Sequence, residues 1–393
     1  MTSFFTTDSR IIITCNKRIT PFLKLETEAL GFKILRTFQT GLELSGSMND
    51  CIKLNLNLRC ASQVLYSIKS FTCTHPDQVY KELMLLPWEA IIPSNGYFSV
   101  TSNVSHPSIT NTLFANVKVK DAIVDRMRNE TGKRPDSGPL QDQTVIHLYW
   151  KDEIAEIFID TSGETLAKHG YRKIPGKAPM LEALAAATLL ATKWDRKSPF
   201  INPMCGSSTI AIEATLIATN RRPGLFRSNY AFMHILGYDS TVYEAAKKQL
   251  ADQTKEVEGL QIIATDISED AINISKINAG AAGVEQYITF DVCDFEMTEI
   301  PKEISGVIFF NPEYGDRLGD EVELQQTYAR IGDFMKKQCK GYTGYIFTGN
   351  LELAKKIGLK ASRRIEFFTG KIDCRLLEYE LYAGTKRVSV EVK

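Results

Sequence analysis

The first candidate for chemistry is a strand that ends in polar and aromatic residues. Residues 307–310 form an apolar run typical of a buried parallel strand, and Asn311-Pro312-Glu313-Tyr314 follow directly. Pro312 has no backbone N–H group to donate to a sheet, so the strand must end there. An amide, an acid and an aromatic ring in this place form either a polar turn or a ligand site, and this stretch by itself leaves both open.

The second candidate is the segment FINPMCGSSTIAIEA, residues 200–214, which predicts a strand, a tight loop and the start of a helix. The N-terminus of a helix attracts anions because its N–H groups are free. The dinucleotide pattern GxGxxG and the phosphate loop GxxxxGK[ST] are both absent. A single Gly206 flanked by small residues fits S-adenosylmethionine, which has a carboxylate, an amine, a ribose and an adenine but no phosphate.

The third candidate is Asp266, at the end of the apolar segment QIIATDI. An acid that binds ribose hydroxyls normally lies about 20 residues beyond the glycines. Asp266 lies 60 residues beyond Gly206, so the intervening segment must carry a structure of its own. An N-cap or turn residue is the other interpretation of Asp266.

Alternating strands and helices after about residue 160 position these three stretches. SPFIN, QIIATDI, YITFDVCDF, GVIFFNP and GYIFTGN are predicted strands, and helices are predicted between them, one of them over 269–279 with its end near Gly280 and Gly283. Two further strands close the chain, with a turn at Gly370-Lys371. Such alternation predicts a mainly parallel, doubly wound sheet, in which ligands bind at the carboxyl ends of the strands. All three candidate stretches fall at those ends.

The first 160 residues predict a smaller α+β region. A long helix is expected from about residue 109 to residue 129, followed by the strands TVIHLYW and EIAEIFID. The segment CIKLNLNLRC alternates apolar and polar residues, which by its period alone predicts a strand.

Composition favours a soluble intracellular protein. The 393 residues carry a formal net charge of zero, and the first ten do not form a signal peptide. Eight cysteines contain no CxxC pair and five histidines show no metal-ligand spacing, so we expect a reduced, cytoplasmic protein without a metal site. Residues 161–230 hold ten basic and four acidic residues, which form either a solvated face or a rim that attracts a phosphate backbone.

Several segments, in this order, resemble the THUMP-domain RNA methyltransferases, particularly those that make N2-methylguanosine in large-subunit ribosomal RNA or transfer RNA. They are AKHGYRKIPGKAPMLEALAAATLL, NPMCGSSTIAIEATLIATNRRPGL, ATDISEDAINISKINAGAAGV and FFNPEYGDRLG. The resemblance covers most of the chain. It implies a ferredoxin-like segment over 1–45, a THUMP domain over 46–160 and a Rossmann-like class I methyltransferase domain over 161–393. It also implies that NDCIKLNLNLRCA is helical, and we adopt that prediction over the alternation.

The resemblance also implies S-adenosylmethionine as the cofactor and RNA as the partner. The cofactor residues carried over are Pro179, Met180, Asn202, Met204, Cys205, Gly206, Ser207, Asp266, Ile267, Asp294 and Phe295. In this assignment Asp266 holds the ribose, and Asp294 and Phe295 flank the adenine. The candidate phosphate contacts are Arg172, Lys173, Arg221, Arg222 and Arg317. No membrane partner is expected, and the chain is either a monomer or a homodimer.

Asn311, Pro312 and Tyr314 are the predicted catalytic residues. The amine of guanine is a poor nucleophile because its lone pair is delocalised into the ring. The side-chain oxygen of Asn311 and the carbonyl of Pro312 can accept its two N–H groups and turn the lone pair toward the methyl donor. Tyr314 can stack on the base, which must leave any duplex to reach the site.

Three residues depart from the family pattern. Asn202 stands where the family usually has Asp, Ser208 replaces a second glycine, and Glu313 replaces the second proline of the base motif. Ser208 brings a Cβ atom to a place where the backbone can require a positive φ. Glu313 adds a charge beside the expected base site, and points to water or accepts from the guanine ring.

Other functions remain open at this point. An RNA-binding assembly factor with a degenerate, inactive methyltransferase domain would share the same segments. The base motif also suits methylation of another planar amine, such as adenine N6 or a glutamine side chain. Cys205 as the nucleophile of a pyrimidine methylation is disfavoured by its place in the cofactor loop, and an NAD oxidoreductase is disfavoured by the missing GxGxxG.

Overall fold

The computed structural model describes residues 4–106, 111–302, 304–314 and 321–382, which form two compact units. The first unit contains the described residues up to Gly170 together with Arg221–Thr254. The second contains Tyr171–Asn220 and the described residues from Lys255 onward. Arg317, an expected RNA contact, lies outside the described residues.

Fifteen strands and ten α-helices make up the regular structure of the described residues. The strands are β1 (Ser9–Thr14), β2 (Ile34–Phe38), β3 (Gly41–Gly46), β4 (Gln63–Thr72), β5 (Tyr97–Ser105), β6 (Asp136–Ser137), β7 (Thr144–Lys151), β8 (Ile154–Asp160), β9 (Phe200–Pro203), β10 (Ile262–Asp266), β11 (Ile288–Val292), β12 (Val307–Phe310), β13 (Thr343–Thr348), β14 (Arg363–Thr369) and β15 (Ile372–Glu380). The helices are α1 (Thr20–Ala29), α2 (Met48–Asn57), α3 (Pro76–Met84), α4 (Thr112–Thr131), α5 (Glu182–Ala191), α6 (Thr209–Ala218), α7 (Ser240–Asp252), α8 (Glu269–Ala282), α9 (Glu321–Gln338) and α10 (Leu351–Lys355). Within the described ranges, none of these helices combines the length and the apolar character that crossing a bilayer requires.

The first unit is built on one continuous sheet. Its eight strands lie in the order β2-β3-β1-β4-β8-β7-β5-β6. The antiparallel pairing of β4 with β8 joins the strands before residue 73 to those after it. The α+β character expected for this part of the chain is confirmed.

Helix α2 shows why the period of a short apolar segment can mislead. The alternating segment 51–60 is helical up to Asn57, as the resemblance implied, and the strand prediction from its period is wrong. Ser47 and Asp50 form a capping box, in which each side chain bonds the other residue's backbone N–H. Seven of the ten residues of α2 are buried, including the polar Asn55, and only Lys53 is exposed, so the exposed face is too narrow to impose a clear helical period on the sequence.

The long segment between Gly206 and Asp266 does carry its own structure, but its central part, 221–254, belongs to the first unit. Thr144 of β7 donates its hydroxyl to the His234 carbonyl (3.1 Å), and the Leu236 N–H group donates to the Ile91 carbonyl (2.9 Å). Gly224 packs so close to Leu56 of α2 that a Cβ atom there would lie 2.6 Å from the Leu56 carbonyl oxygen. The chain therefore leaves the second unit after α6 and returns to it before β10.

The second unit has the mainly parallel, doubly wound sheet that the sequence predicts. Its strand order is β11-β10-β9-β12-β13-β15-β14, with β15 antiparallel to both of its neighbours. The chain starts at β9, next to the central strand β12, moves outward to β11 and then returns to β12. The carboxyl ends of β9 and β12 therefore flank the point where the direction of winding reverses, which is where such sheets bind ligands.

Local sequence signals set the ends of several elements in this unit. Helix α8 continues to Ala282, three residues past the predicted end, and stops at Gly283 in the left-handed conformation (φ 64°). Gly370 (φ 59°) turns the β14–β15 hairpin where the sequence predicts it. Helix α9 packs Tyr328, Ile331 and Phe334 against the core side of β12 and β13. This packing holds the end of β12, from which residues 311–314 continue.

Candidate functional site

The loop after β9, residues 204–208, has an unusual backbone. Met204, Gly206 and Ser208 all adopt positive φ angles, of 56°, 57° and 56°. The left-handed conformation costs about 1–2 kcal/mol for a residue with a side chain, so other contacts must compensate at Met204 and Ser208. A Cβ atom on Gly206 would meet no described atom within 4 Å, so the open space above the loop is available to a ligand.

A chain of hydrogen bonds holds this loop to α8 and to Asp266. Ser208 donates its hydroxyl to Ser275 (2.8 Å), which donates in turn to the Gly206 carbonyl (2.9 Å). The Gly206 N–H group donates to Asp266 Oδ2 (2.9 Å), while Asp266 Oδ1 accepts from the Ser268 N–H group (3.0 Å). Glycine at position 208 could not make the first of these bonds, so the departure from the family pattern adds a contact as well as strain.

Asp266, Cys205 and Asn202 fall at the carboxyl ends of adjacent strands, as expected. The Cys205 N–H group donates to the Thr265 carbonyl (2.9 Å), and desolvation raises the pKa of the Cys205 thiol to about 12, which removes its capacity to act as a nucleophile near neutral pH. Asn202 is buried and its amide nitrogen donates to the Phe309 carbonyl (2.9 Å), which links the ends of β9 and β12. Ile267 directly follows Asp266 and leaves 73% of its surface exposed, an apolar surface beside the loop.

Asn311 has the most informative environment of the predicted catalytic residues. It is partly buried, and its Oδ1 atom is shielded from solvent yet accepts no hydrogen bond from the described part of the chain. A buried acceptor without a hydrogen bond lowers the free energy of unfolding by about 1–3 kcal/mol. Pro312 is buried, and Glu313 is exposed with its backbone carbonyl accepting from the Tyr328 hydroxyl (3.3 Å). The structure thus places the Glu313 side chain toward solvent.

Tyr314 packs against side chains of β13 and β15. Its ring contacts Phe347 edge to face with 6.2 Å between centroids, and its hydroxyl lies 3.9 Å from Cys374 Sγ. Burial raises the pKa of the Tyr314 hydroxyl, which keeps it protonated. Gly349 makes this position available, because a Cβ atom there would lie 2.9 Å from the Tyr314 ring and 2.6 Å from Ile372.

Asp294 and Phe295, which were expected to flank an adenine, have different environments. Both carboxylate oxygens of Asp294 accept from Arg330 Nη2, at 2.8 Å each. Burial raises the pKa of Asp294, but the hydrogen bonds from Arg330 and from the Glu296 N–H group, together with the charge of Arg330, outweigh it and the net shift is downward. Phe295 is 5% exposed and packs edge to face on Phe310 and Phe334, so its ring is a core side chain and the expectation that it flanks a ligand is wrong for the ring. Arg330 was missed because nothing in its spacing connects it to Asp294.

The expected RNA contacts divide into two groups. Lys173 is exposed in the second unit, whereas Arg221 and Arg222 are partly buried in the first unit, with the Arg221 guanidinium 5.8 Å from the Phe226 ring centroid. Arg172 has its guanidinium turned inward, at 13% side-chain exposure, and bonded to other residues of the second unit. That packing contradicts the expectation of a free phosphate contact for Arg172.

The segment that the sequence assigns to the methionine end of a cofactor lies beside the loop. Pro179 is exposed, and Met180 is buried with its carbonyl accepting from Arg172 Nη2 (2.7 Å). Ser207 is nearly buried, and its hydroxyl accepts from Arg172 Nη1 (3.2 Å). Within the second unit the structure therefore brings together residues 179–180, the loop 204–208 and Asp266.

Comparisons with known protein families agree with this architecture. Residues 169–378 match the model of the RMKL-like methyltransferase domain, residues 10–65 that of the RlmL ferredoxin-like domain and residues 73–160 that of the THUMP domain. The domain limits expected from the sequence, at residues 45 and 160, stay predictions.

Curated relatives include the proteins named ribosomal RNA large subunit methyltransferase K/L of Syntrophotalea carbinolica, 33% identical over 95% of this chain, and of Shewanella baltica, 31% identical over 93%. The chain spans about half the length of these relatives, 53% and 52%. Among solved structures, SMU.472, assigned as a methyltransferase and crystallised with SAH, has 25% identity and a TM-score of 0.86 over 96% of this chain and 99% of its own. A Listeria monocytogenes protein assigned as an N6-adenine-specific DNA methylase has 28% identity and a TM-score of 0.85 over 95% and 97%. The chain belongs to the family of THUMP-domain methyltransferases with an RMKL-like methyltransferase domain.

Proposed function

We propose that this protein transfers a methyl group from S-adenosylmethionine to the exocyclic N2 of a guanosine in large-subunit ribosomal RNA. The observation that supports this most directly is the buried Asn311 Oδ1, an acceptor for which the described residues supply no donor. It stands at the end of β12, beside the point where the winding of the sheet reverses. The names of the curated relatives support ribosomal RNA as the substrate.

The residues around loop 204–208 fit the proposed cofactor. Gly206 leaves its surroundings open, Asp266 presents a carboxylate beside it, and the exposed Ile267 offers an apolar surface for an adenine ring. The loop opens helix α6, whose N-terminal N–H groups favour the cofactor carboxylate. When bound, S-adenosylmethionine supplies an activated methyl group on its sulfonium.

Asn311 and Pro312 would act on the amine rather than on the methyl donor. A donor from the base would satisfy Asn311 Oδ1, and the Pro312 carbonyl would accept from the second N–H group. Both hydrogen bonds localise the nitrogen lone pair and aim it, so orientation supplies much of the rate. Because Asn311 Oδ1 is shielded from solvent, the proposed reaction requires this atom to become accessible to the base. The methylated amine then loses its proton without a strong base.

The first unit would position the RNA. We assign this role to the THUMP domain because contacts to the RNA backbone set register without reading sequence. Outside that domain, Arg221 and Arg222 of the first unit and Lys173 of the second unit are the proposed phosphate contacts. A ribosomal RNA substrate places the reaction in the cytoplasm. The chain acts as a monomer or a homodimer.

Nucleoside mass spectrometry of ribosomal and transfer RNA tests the proposal. A strain that lacks the gene should lose one N2-methylguanosine from its large-subunit ribosomal RNA, and the wild-type gene should restore it, whereas a copy carrying Asn311→Ala should not. An unchanged nucleoside profile would reject the proposal.

Two other functions give different results in the same experiments. Methylation of adenine N6, which the name of the Listeria monocytogenes protein suggests, would show as a loss of N6-methyladenosine instead. An inactive RNA-binding assembly factor would leave every modified nucleoside in place, and the purified chain would bind no S-adenosylhomocysteine in calorimetry. The hydrogen-bonded loop 204–208 favours the active enzyme over this alternative.

A further inference from the structure

Arg172 joins the segments of the second unit that the proposed function places around the cofactor. We propose that Arg172 is a positioning residue for S-adenosylmethionine, and this inference rests on the proposed function. The guanidinium makes four hydrogen bonds within the unit, to Glu182 Oε1 (3.1 Å), the Met180 carbonyl (2.7 Å), Ser207 Oγ (3.2 Å) and Thr209 Oγ1 (3.1 Å). It is therefore committed to internal acceptors and is not free to bind an RNA phosphate.

The bond to the Met180 carbonyl closes residues 172–180 into a loop. Asn278 of α8 holds the beginning of this loop, because its Oδ1 atom accepts from the N–H groups of Lys173 (2.9 Å) and Ile174 (3.1 Å). Its Nδ2 atom donates to the Ile174 carbonyl (3.0 Å). The loop is thus fixed at both ends, while residues 177–179 at its tip stay exposed.

The bonds to Ser207 and Thr209 tie the same guanidinium to the cofactor loop and to the first turn of α6. Gly176 lies so close to this loop that a Cβ atom on it would be 3.4 Å from Ser207 Cβ. The planar fork of an arginine can reach acceptors in several directions at once, which a lysine ammonium does not reproduce. Arg172 therefore sets the separation between loop 172–180 and loop 204–208.

Glu182 explains why position 172 must hold a cation. This glutamate is 3% exposed, and a buried carboxylate is stable only when it is paired and hydrogen-bonded. Its partner Arg172 provides both the charge and the hydrogen bond. The buried ion pair anchors the guanidinium, and the remaining N–H groups of Arg172 face the two loops.

Calorimetry with S-adenosylhomocysteine on the full chain tests this role. Arg172→Gln should raise the Kd about 10- to 100-fold, the range expected for lost charge-assisted hydrogen bonds. Arg172→Lys should give a smaller rise, because it keeps the pair with Glu182 but not all the bonds to the loops. In methyl-transfer assays the KM for S-adenosylmethionine should rise while kcat at saturating cofactor stays within a few fold. A merely unfolded fraction would lower kcat and leave KM unchanged.

Two further variants keep the test decisive if the single substitution fails to fold. The double variant Arg172→Gln/Glu182→Gln removes the ion pair without leaving a buried charge alone, and Ser207→Ala removes one contact to the guanidinium. Both should weaken S-adenosylhomocysteine binding. Lys276→Gln, which removes an exposed cation of the same unit on α8, is the matched control and should leave the Kd unchanged.

The outcomes separate this inference from the proposed function. A wild-type chain that binds no S-adenosylhomocysteine rejects the proposed function, and this inference with it. If the wild type binds and folded Arg172 variants bind equally well, only the role of Arg172 is rejected. A loss of RNA affinity at constant salt, with S-adenosylhomocysteine binding intact, would instead restore Arg172 as an RNA contact.

Discussion

Loop 204–208 and residues 311–314 end neighbouring strands of one sheet, yet their polar groups are in opposite states. In the loop, Gly206, Ser208, Ser275 and Asp266 satisfy one another through hydrogen bonds and stabilise a strained backbone. At the end of β12, the Oδ1 atom of Asn311 is buried and accepts nothing from the described residues. The first region is organised by its own hydrogen bonds, whereas the second has an acceptor for which the described residues supply no donor.

Replacing Asn311 should have the largest effect, and it should change methyl transfer without changing cofactor binding. Asn311→Ala removes an acceptor proposed to act on the amine, so methyl transfer should fall about 10²- to 10³-fold. Binding of S-adenosylhomocysteine should stay within about twofold, because loop 204–208 does not use this side chain. Single-turnover transfer of labelled methyl groups to RNA and calorimetry measure the two quantities.

Asn311→Asp is the matched control for that variant, since it keeps an acceptor at the same place and should retain more activity. If Asn311→Ala methylates RNA at the wild-type rate, the assignment of the base site is wrong. If Asn311→Ala also loses affinity for S-adenosylhomocysteine, loop 204–208 and residues 311–314 are not independent.

Replacing Asp266 should weaken cofactor binding at loop 204–208. Asp266→Ala leaves the Gly206 N–H group without its acceptor and removes the charge beside the loop, so the Kd for S-adenosylhomocysteine should rise about 10- to 100-fold. RNA affinity, measured by fluorescence anisotropy, should not change. Asp270→Ala removes an exposed acid on α8 and serves as the control. Equal cofactor affinity in the Asp266 and Asp270 variants would contradict the role of Asp266.

Gly349→Ala should shift Tyr314 without touching the cofactor loop. The added Cβ atom would lie 2.9 Å from the Tyr314 ring, too close for either group to stay in place. We expect about a tenfold loss in kcat/KM for RNA, the scale of a lost stacking contact of 1–3 kcal/mol, with an unchanged Kd for S-adenosylhomocysteine. A variant with wild-type kcat/KM would show that the position of Tyr314 is not critical.

Ser208→Gly should have the smallest effect. Glycine relieves the left-handed strain at this position, worth about 1–2 kcal/mol, but loses the hydrogen bond to Ser275, worth about 1 kcal/mol. The free energy of unfolding in urea should therefore change by less than about 1 kcal/mol. A loss well above this value would mean that the bond to Ser275 contributes more than the strain costs.

The resemblance to a family corrected the secondary-structure prediction where the period of apolar residues indicated a strand instead of a helix. The alternation in residues 51–60 predicts a strand, but the segment is helical up to Asn57, and the capping box of Ser47 and Asp50 starts the helix. The period of apolar residues reports which faces of an element are exposed, and only Lys53 of α2 is exposed. The helix prediction therefore came from the resemblance and not from the residues of the segment.

The sequence by itself determined the succession of strands along the chain and the residues that follow them. Alternating apolar segments and helices require a parallel sheet, and parallel strands bring their carboxyl ends to one edge, so Asn202, Asp266 and Asn311 had to lie together. Only the tertiary structure decided that Arg172 faces inward, that the Phe295 ring is core and that residues 221–254 join the first unit. These outcomes depend on contacts such as Lys173 with Asn278, 105 residues apart, and no local pattern encodes which distant atoms a side chain will meet.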